Sequence, residues 1–240
     1  MGTSAARRAP TTRLWRLAKG AATRYLSPEG SGGLAAREVV RRYLAAVEDS
    51  AGPGAQGSLA AFRLTRKVAQ NLGAFWAQAA SQGWPAALQA WGVAELETQP
   101  PDILAQGLAG ALAGSYGGLE TAVARAALAT VLWTHLPSPD LPEVKPTPFI
   151  RPAATRLAQE FLAAALYMRL VLDLGEPLEA AGRDFRGLKG GLAGLRGWIE
   201  AAASVEAAAE PPTPEHWPGL AGWLWVTQFF QALRQNLTGP

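Results

Sequence analysis

Cysteine is absent from all 240 residues. Its absence excludes disulfide staples, thiolate nucleophiles and cysteine metal sites, and suits a reducing cytoplasm, the expected compartment. Histidine is reduced to His135 and His216, fewer than metal sites and acid–base triads usually draw on. Charged residues make up 17% of the chain, against about 25% in an ordinary globular domain. With 49% hydrophobic residues a sizeable core can form. A surface so poor in charge leaves apolar area for a partner. No uninterrupted apolar run approaches the roughly 18 residues of a membrane span. Phe161 to Leu172 is interrupted by Arg169, and Gly219 to Phe230 is too short. Arg7 and Arg8 imitate the basic start of a secretory signal, but no apolar run follows. Period-two alternation of β-branched and aromatic residues is missing, so strands are not expected.

Alanine and leucine at helical spacing fill the space. The reading is an all-α, multi-helix bundle, with two helical subdomains joined by a proline-rich linker as one form of it. Residues 1–10 form a flexible tail of small and basic residues. An N-terminal helical domain covers 11–136, the linker 137–150 and a C-terminal subdomain 151–240. Five prolines between 137 and 148 exclude a helix there. A stiff strap across a single domain is the alternative.

Within this frame the spacing predicts a helix over about 12–25, then a break at Ser27 to Gly33. Val40, Tyr43, Leu44 and Val47 share one face of the next helix, with Glu38 placed to support Arg42. Gly52-Pro53-Gly54 ends it. One long helix is expected over about 58–81, striped by Leu64, Val68, Leu72, Phe75 and Ala79. Shorter ones follow at 85–91, 101–113 and 118–135. Leu157, Phe161, Ala164, Met168 and Leu172 mark another apolar stripe. Six glycines within 182–197 make any helix there weak, or tightly packed against a neighbour. Thr213-Pro214-Glu215 resembles a helix start. In the last helix, over about 220–236, Trp223, Val226, Phe230, Leu233 and Leu237 form a seam. Trp225 and Phe229 lie off it, so this helix is either fully buried or half offered to a partner.

Catalytic signals are weak. His135 at a helix end is read as a cation beside the last carbonyls, and His216 as a turn residue. Gly30-Ser31-Gly32-Gly33 and Gly187-Leu188-Lys189-Gly190-Gly191 lack the phosphate-loop pattern. Ser115 lacks nucleophile-elbow spacing. Glu95 with Glu97, and Glu206 with Glu210, are read as solvated acids. No cofactor is implied.

Charge is lopsided. Nine basic residues against Glu29 and Glu38 give the first 45 residues a net charge of +7. A basic helical module that binds nucleic acid or an anionic membrane surface is therefore one reading. Residues 12–26 would supply its amphipathic helix. The myristoylation pattern fails, because Ala6 stands where Ser or Thr is required.

The opening Met1-Gly2-Thr3-Ser4 carries the other reading. A small second residue permits removal of the initiator methionine. The α-amine of Gly2 would then titrate near ~7.7–8.0, leaving a useful neutral, nucleophilic fraction. This start, the polar and basic run to Pro10 and the Ala/Gly/Arg-rich helical body resemble QatB of the bacterial Qat anti-phage defence systems. These systems pair QatB with an ATPase, a QueC-like enzyme (QatC) and a TatD-like nuclease. The resemblance implies a non-enzymatic adaptor and substrate that presents its tail to the QueC-like enzyme. Relatives of that enzyme activate a carboxylated deazapurine with ATP and join it to an amine. Gly2 would be the acceptor, with Thr3 and Ser4 as the recognised flank.

Overall fold

Eleven α-helices and two 3-10 turns, with no strand, make up the described residues of a computed structural model: 12–26, 35–52, 55–136, 153–181, 185–204 and 210–239. The all-α expectation therefore holds. The chain divides into two compact units, neither continuous in sequence. The first takes its described residues from 12–61 and 170–198, the second from 62–169 and 199–239. The expected linker, 137–150, lies outside the described residues.

In the first unit, α1 (Arg13–Leu26) packs on α2 (Ala36–Ala51) and α9 (Gly175–Ala181). The apolar face of α1 is spent on this packing, because Trp15, Ala18, Ala21, Ala22 and Leu26 are buried. Trp15 meets the ring of Tyr43 edge-on at 5.9 Å and donates its indole N–H to Ser50 Oγ at 2.8 Å. Tyr43 in turn donates to Asp173 Oδ2 at 3.0 Å. Each buried aromatic thus satisfies its polar tip, as burial requires. The predicted face of α2 is buried, and Glu38 pairs with both Arg41 (2.7 Å) and Arg42 (2.6 Å). Those arginines, the Arg41 hydrogen bond foremost, hold the Glu38 carboxyl down to about 2. Helix α2 stops at Gly52, whose φ of +127° suits glycine. Helix α3 (Ala55–Ala61) follows.

The glycine-rich stretch forms a full helix, α10 (Phe185–Ala203). Its glycines admit α1: a Cβ on Gly194 would stand 2.5 Å from Tyr25 Oη, and one on Gly191 would strike Leu26. The Tyr25 hydroxyl donates to the Gly191 carbonyl at 3.1 Å. Gly191 and Gly194 serve this tight packing, whereas a Cβ on Gly190 or Gly197 would meet nothing within 4 Å.

The long helix expected over 58–81 is two helices. Phe62 leaves helical geometry between α3 and α4 (Arg63–Gln82), and the unit division falls at the same point. The reason is tertiary. Phe62 is 2% exposed, with its ring 5.2 Å from that of Phe230 in α11 (Leu220–Thr238). Spacing alone could not reveal that contact.

Helix α4 is the hub of the second unit. Around it pack α5 (Trp84–Ala90), α6 (Pro101–Ala113), α7 (Leu119–His135), α11 and the 3-10 turn Pro214–His216. Burial runs well beyond the expected stripe, from Thr65 to Ala79 and over most of the circumference. A helix enclosed by neighbours has that signature. Phe75, Trp76, Trp84 and Trp91 make an aromatic nest at its C-terminal end, with neighbouring rings 5.3 to 6.4 Å apart. A second 3-10 turn, Ala94–Thr98, joins α5 to α6 and buries Leu96. In α8 (Ala154–Asp173), Leu157 and Phe161 are buried as expected. The other buried residues are Ala158, Leu162, Ala163, Ala165, Leu166 and Leu170, while the expected Ala164 and Met168 are half-buried and Leu172 is 49% exposed. Both sides of this helix are apolar, so periodicity could not choose between them.

Candidate partner-binding surface

The surface of interest is built where α4 and α11 meet. Along the contacting face of α4 stand Arg66, Gln70 and Gly73, four and then three residues apart, and therefore in line. All three are buried. Gly73 lets the Trp217 indole lie directly on the helix, where a Cβ would collide with the ring. Gln70 aims its amide nitrogen at three consecutive carbonyls, those of Trp217 (3.0 Å), Pro218 (3.0 Å) and Gly219 (2.7 Å). Its own carbonyl accepts from Lys67 Nζ at 3.0 Å. This fixes the turn that launches α11, because Gly219 is the residue just before the helix.

Arg66 fixes the next turn of α11. Its Nη1 donates to Thr227 Oγ1 at 2.7 Å, and its guanidinium carbon lies 4.5 Å from the centre of the Trp223 ring. Burial, and secondarily the charge of Arg63, lowers Arg66 from the ordinary guanidinium value. Trp223 is consequently half-buried beneath a cation rather than sunk in the core.

With that side anchored, α11 buries Trp225, Val226, Phe229, Phe230, Leu233 and Leu237. Trp225 stacks on Phe229 with rings 5.7 Å apart and 6° from parallel. The opposite side is open: Leu220 is 71% exposed and Leu224 47%. Both apolar faces expected of this helix, the seam and the Trp225–Phe229 side, are therefore covered, Trp223 by half, and the exposed leucines lie on a third side that the seam did not include. Beyond the leucines the open face continues as Gln228, Gln231 and Gln235. Across the contact, Arg63 and Lys67 are exposed on the outer side of α4. Neither helix contains an aspartate or glutamate.

Gly2, Thr3 and Ser4, expected from the resemblance to be the acceptor and its recognised flank, lie outside the described residues, as does Gly30-Ser31-Gly32-Gly33. The other candidates are dispersed. His135, in the last turn of α7, contacts Glu160 Oε2 through Nε2 at 2.6 Å, and Arg156 holds the other oxygen at 2.6 Å. Burial raises the Glu160 carboxyl, but the bonds from Arg156 and His135 outweigh it and leave it below the usual range. The ring thus pairs with a carboxylate of α8, where a helix-end cation was expected. His216 Nδ1 lies 2.9 Å from Thr213 Oγ1 in the turn Pro214–His216, and helix α11 starts only at Leu220. Ser115, Glu95, Glu97 and Glu210 are exposed, as expected of solvated groups, and Glu206 lies outside the described residues. No group of three or more His, Asp or Glu that could hold a metal occurs among the described residues. Among them, too, no helix is long and apolar enough to cross a membrane.

Sequence reasoning missed Arg66, Gln70 and Gly73. The available signal was polar and glycine residues interrupting one flank of an otherwise apolar helix at i, i+4, i+7.

A family model described as Qat anti-phage system associated protein QatB matches residues 53–216. That span covers α3 to α10 and ends just before Trp217. No curated protein and no solved structure matches the chain.

Proposed function

From the premise that this chain belongs to the QatB family of Qat anti-phage systems, we propose that it is a non-enzymatic adaptor within its system, acting in the cytoplasm. Family membership implies a role in anti-phage defence. In the proposed role, the helical body docks on a QueC-like (QatC-type) enzyme and offers it the residues ahead of α1. Gly2 is the acceptor, and Thr3 and Ser4 are the flank that the enzyme recognises. The ATPase and the TatD-like nuclease of such systems are the further partners in this reading.

The observation that carries the reading is the family match over 53–216 behind a start, Met1-Gly2-Thr3-Ser4, that resembles the family's own. The chemistry asks little of this chain. Removal of Met1 leaves the α-amine of Gly2, whose neutral form attacks the carboxyl carbon that ATP has activated on the deazapurine. The activating group leaves with the bonding electron pair, the amine loses a proton to solvent, and an amide remains. Glycine has no side chain to obstruct approach of the amine. Apolar α11 surface and a low charge content suit a body that works by docking.

Co-expression with the neighbouring QueC-like gene, followed by intact-mass and N-terminal peptide analysis, tests this. The expected result is a mass increase confined to the peptide beginning at Gly2 and lost in Gly2→Pro. An unchanged N-terminal peptide refutes the modification.

The basic-module alternative is weakened at the membrane by α1. Of the large apolar residues of α1 that would enter a bilayer, Trp15 and Leu26 are buried in the protein's own first unit and Leu14 and Tyr25 are half-buried, which leaves Leu17 as the exposed one. Arg13, Arg16 and Arg24 remain exposed, so a salt-dependent contact with nucleic acid is the form of it to test.

A further inference from the structure

We propose that the joint face of α4 and α11 is a docking site for an acidic, amphipathic helix of a partner protein. The apolar half of the site is Leu220 and Leu224, one helical turn apart and exposed, with Trp223 beside them. The cationic half is Arg63 and Lys67 on α4, with Arg66 between the two helices against Trp223. Arg63 and Lys67 are the exposed cations of the two helices, and neither helix contains a carboxylate. Sign therefore selects the occupant, since its charged flank must be negative. The leucine pair selects its shape. Apolar side chains spaced four residues apart are met by a helix that presents its own apolar residues at i, i+3, i+4 and i+7.

The same residues disfavour other occupants. A second copy of this chain would bring like charges together across a self-complementary contact. A bilayer would have to take up Gln228, Gln231 and Gln235, which continue the exposed face of α11. A nucleic-acid backbone would use the cations and leave both leucines in water. The anchoring by Gln70 and Arg66 matters here because a preorganised face binds without the entropic cost of being ordered first. The proposal goes beyond modification at Gly2 and does not depend on it.

The test uses the full chain and a fluorescently labelled synthetic helix with leucines at i, i+3, i+4 and i+7 flanked by glutamates. A copy flanked by lysines is the control. Saturable binding of the glutamate peptide is expected. Leu220→Ser with Leu224→Ser should weaken it at least about tenfold, the loss of apolar burial from two leucines. Arg63→Ser with Lys67→Ser should weaken it by about fivefold at low salt and by less as salt rises. Circular dichroism confirms that each variant is folded; all four positions are exposed, so the fold should survive. No binding, equal binding of the lysine peptide, or indifference to the leucine changes would overturn the proposal. So would a preference for anionic vesicles or for a nucleic-acid duplex, or self-association abolished by Leu224→Ser. Because the N-terminal peptide is read separately by mass, failure here and failure of Gly2 modification are distinguishable.

Discussion

Replacing Gln70 tests how α11 is held in place. Its amide nitrogen lies within 3.0 Å of three carbonyl oxygens, although an amide has only two N–H groups to give. Of the three, only the bond to Trp217 is fully buried, while Pro218 and Gly219 sit at the surface. Gln70→Ala therefore strands one carbonyl and lets water reach the others. A stranded buried acceptor costs about 1–3 kcal/mol, and the lost side-chain packing adds to it. A total near 3 kcal/mol is expected, or a melting temperature lower by roughly 6–12 °C for a chain of this size.

Gln70→Glu keeps the shape but replaces a donor with a charged acceptor facing the same carbonyls. Lys67 can still bond the other oxygen, which offsets part of the repulsion. The loss at neutral pH should exceed that of Gln70→Ala by about 1–2 kcal/mol. It should also shrink on acidification. Repulsion raises the folded-state pKa of the introduced carboxyl, so the deficit is full above that pKa and fades as pH falls below it. Thermal melts followed by circular dichroism at several pH values read both effects, and hydrogen exchange locates the loss in α11. Equal destabilisation by the two variants, or no pH dependence of their difference, would refute the argument that donor direction is what matters.

Phe62→Ala removes a buried ring that touches Phe230 and should cost about 3–5 kcal/mol by chemical denaturation. Tyr25→Phe loses the bond to the Gly191 carbonyl and should cost about 1 kcal/mol. Gly191→Val should cost more, because its Cβ would strike the buried Leu26 side chain, and thermal melts rank the two. Glu38 is held near a pKa of about 2 against an ordinary 4.5. Its contribution is therefore present above pH 4.5 and lost as pH falls toward 2. Glu38→Gln should melt slightly lower than the parent at neutral pH and converge with it in acid, as paired pH–melting curves will show.

The helices were legible because their signals are local. Alanine and leucine at helical spacing, Gly52 at a helix end, and the Glu38–Arg42 pair on α2 act within a turn or two of the chain. That α11 is apolar on more than one side was legible as well, but not which side stays open, since the expected second face of Trp225 and Phe229 is buried and Leu220 and Leu224 are exposed. Phe62 was not, because its break depends on a ring more than 160 residues away in sequence. The same holds for the site: Arg66, Gln70 and Gly73 have no common meaning until Trp217, Trp223 and Thr227 are brought against them.

Composition and spacing alone settled the all-helical class, and the opening residues with the helical body already resembled the QatB family. Tertiary structure alone decided which apolar side each helix buries, which carboxylate His135 meets, and which leucines of α11 remain in water. The physical reason is reach. Backbone preference and i to i+4 pairing are fixed by neighbours in sequence, whereas burial is a competition among all surfaces that can cover a residue.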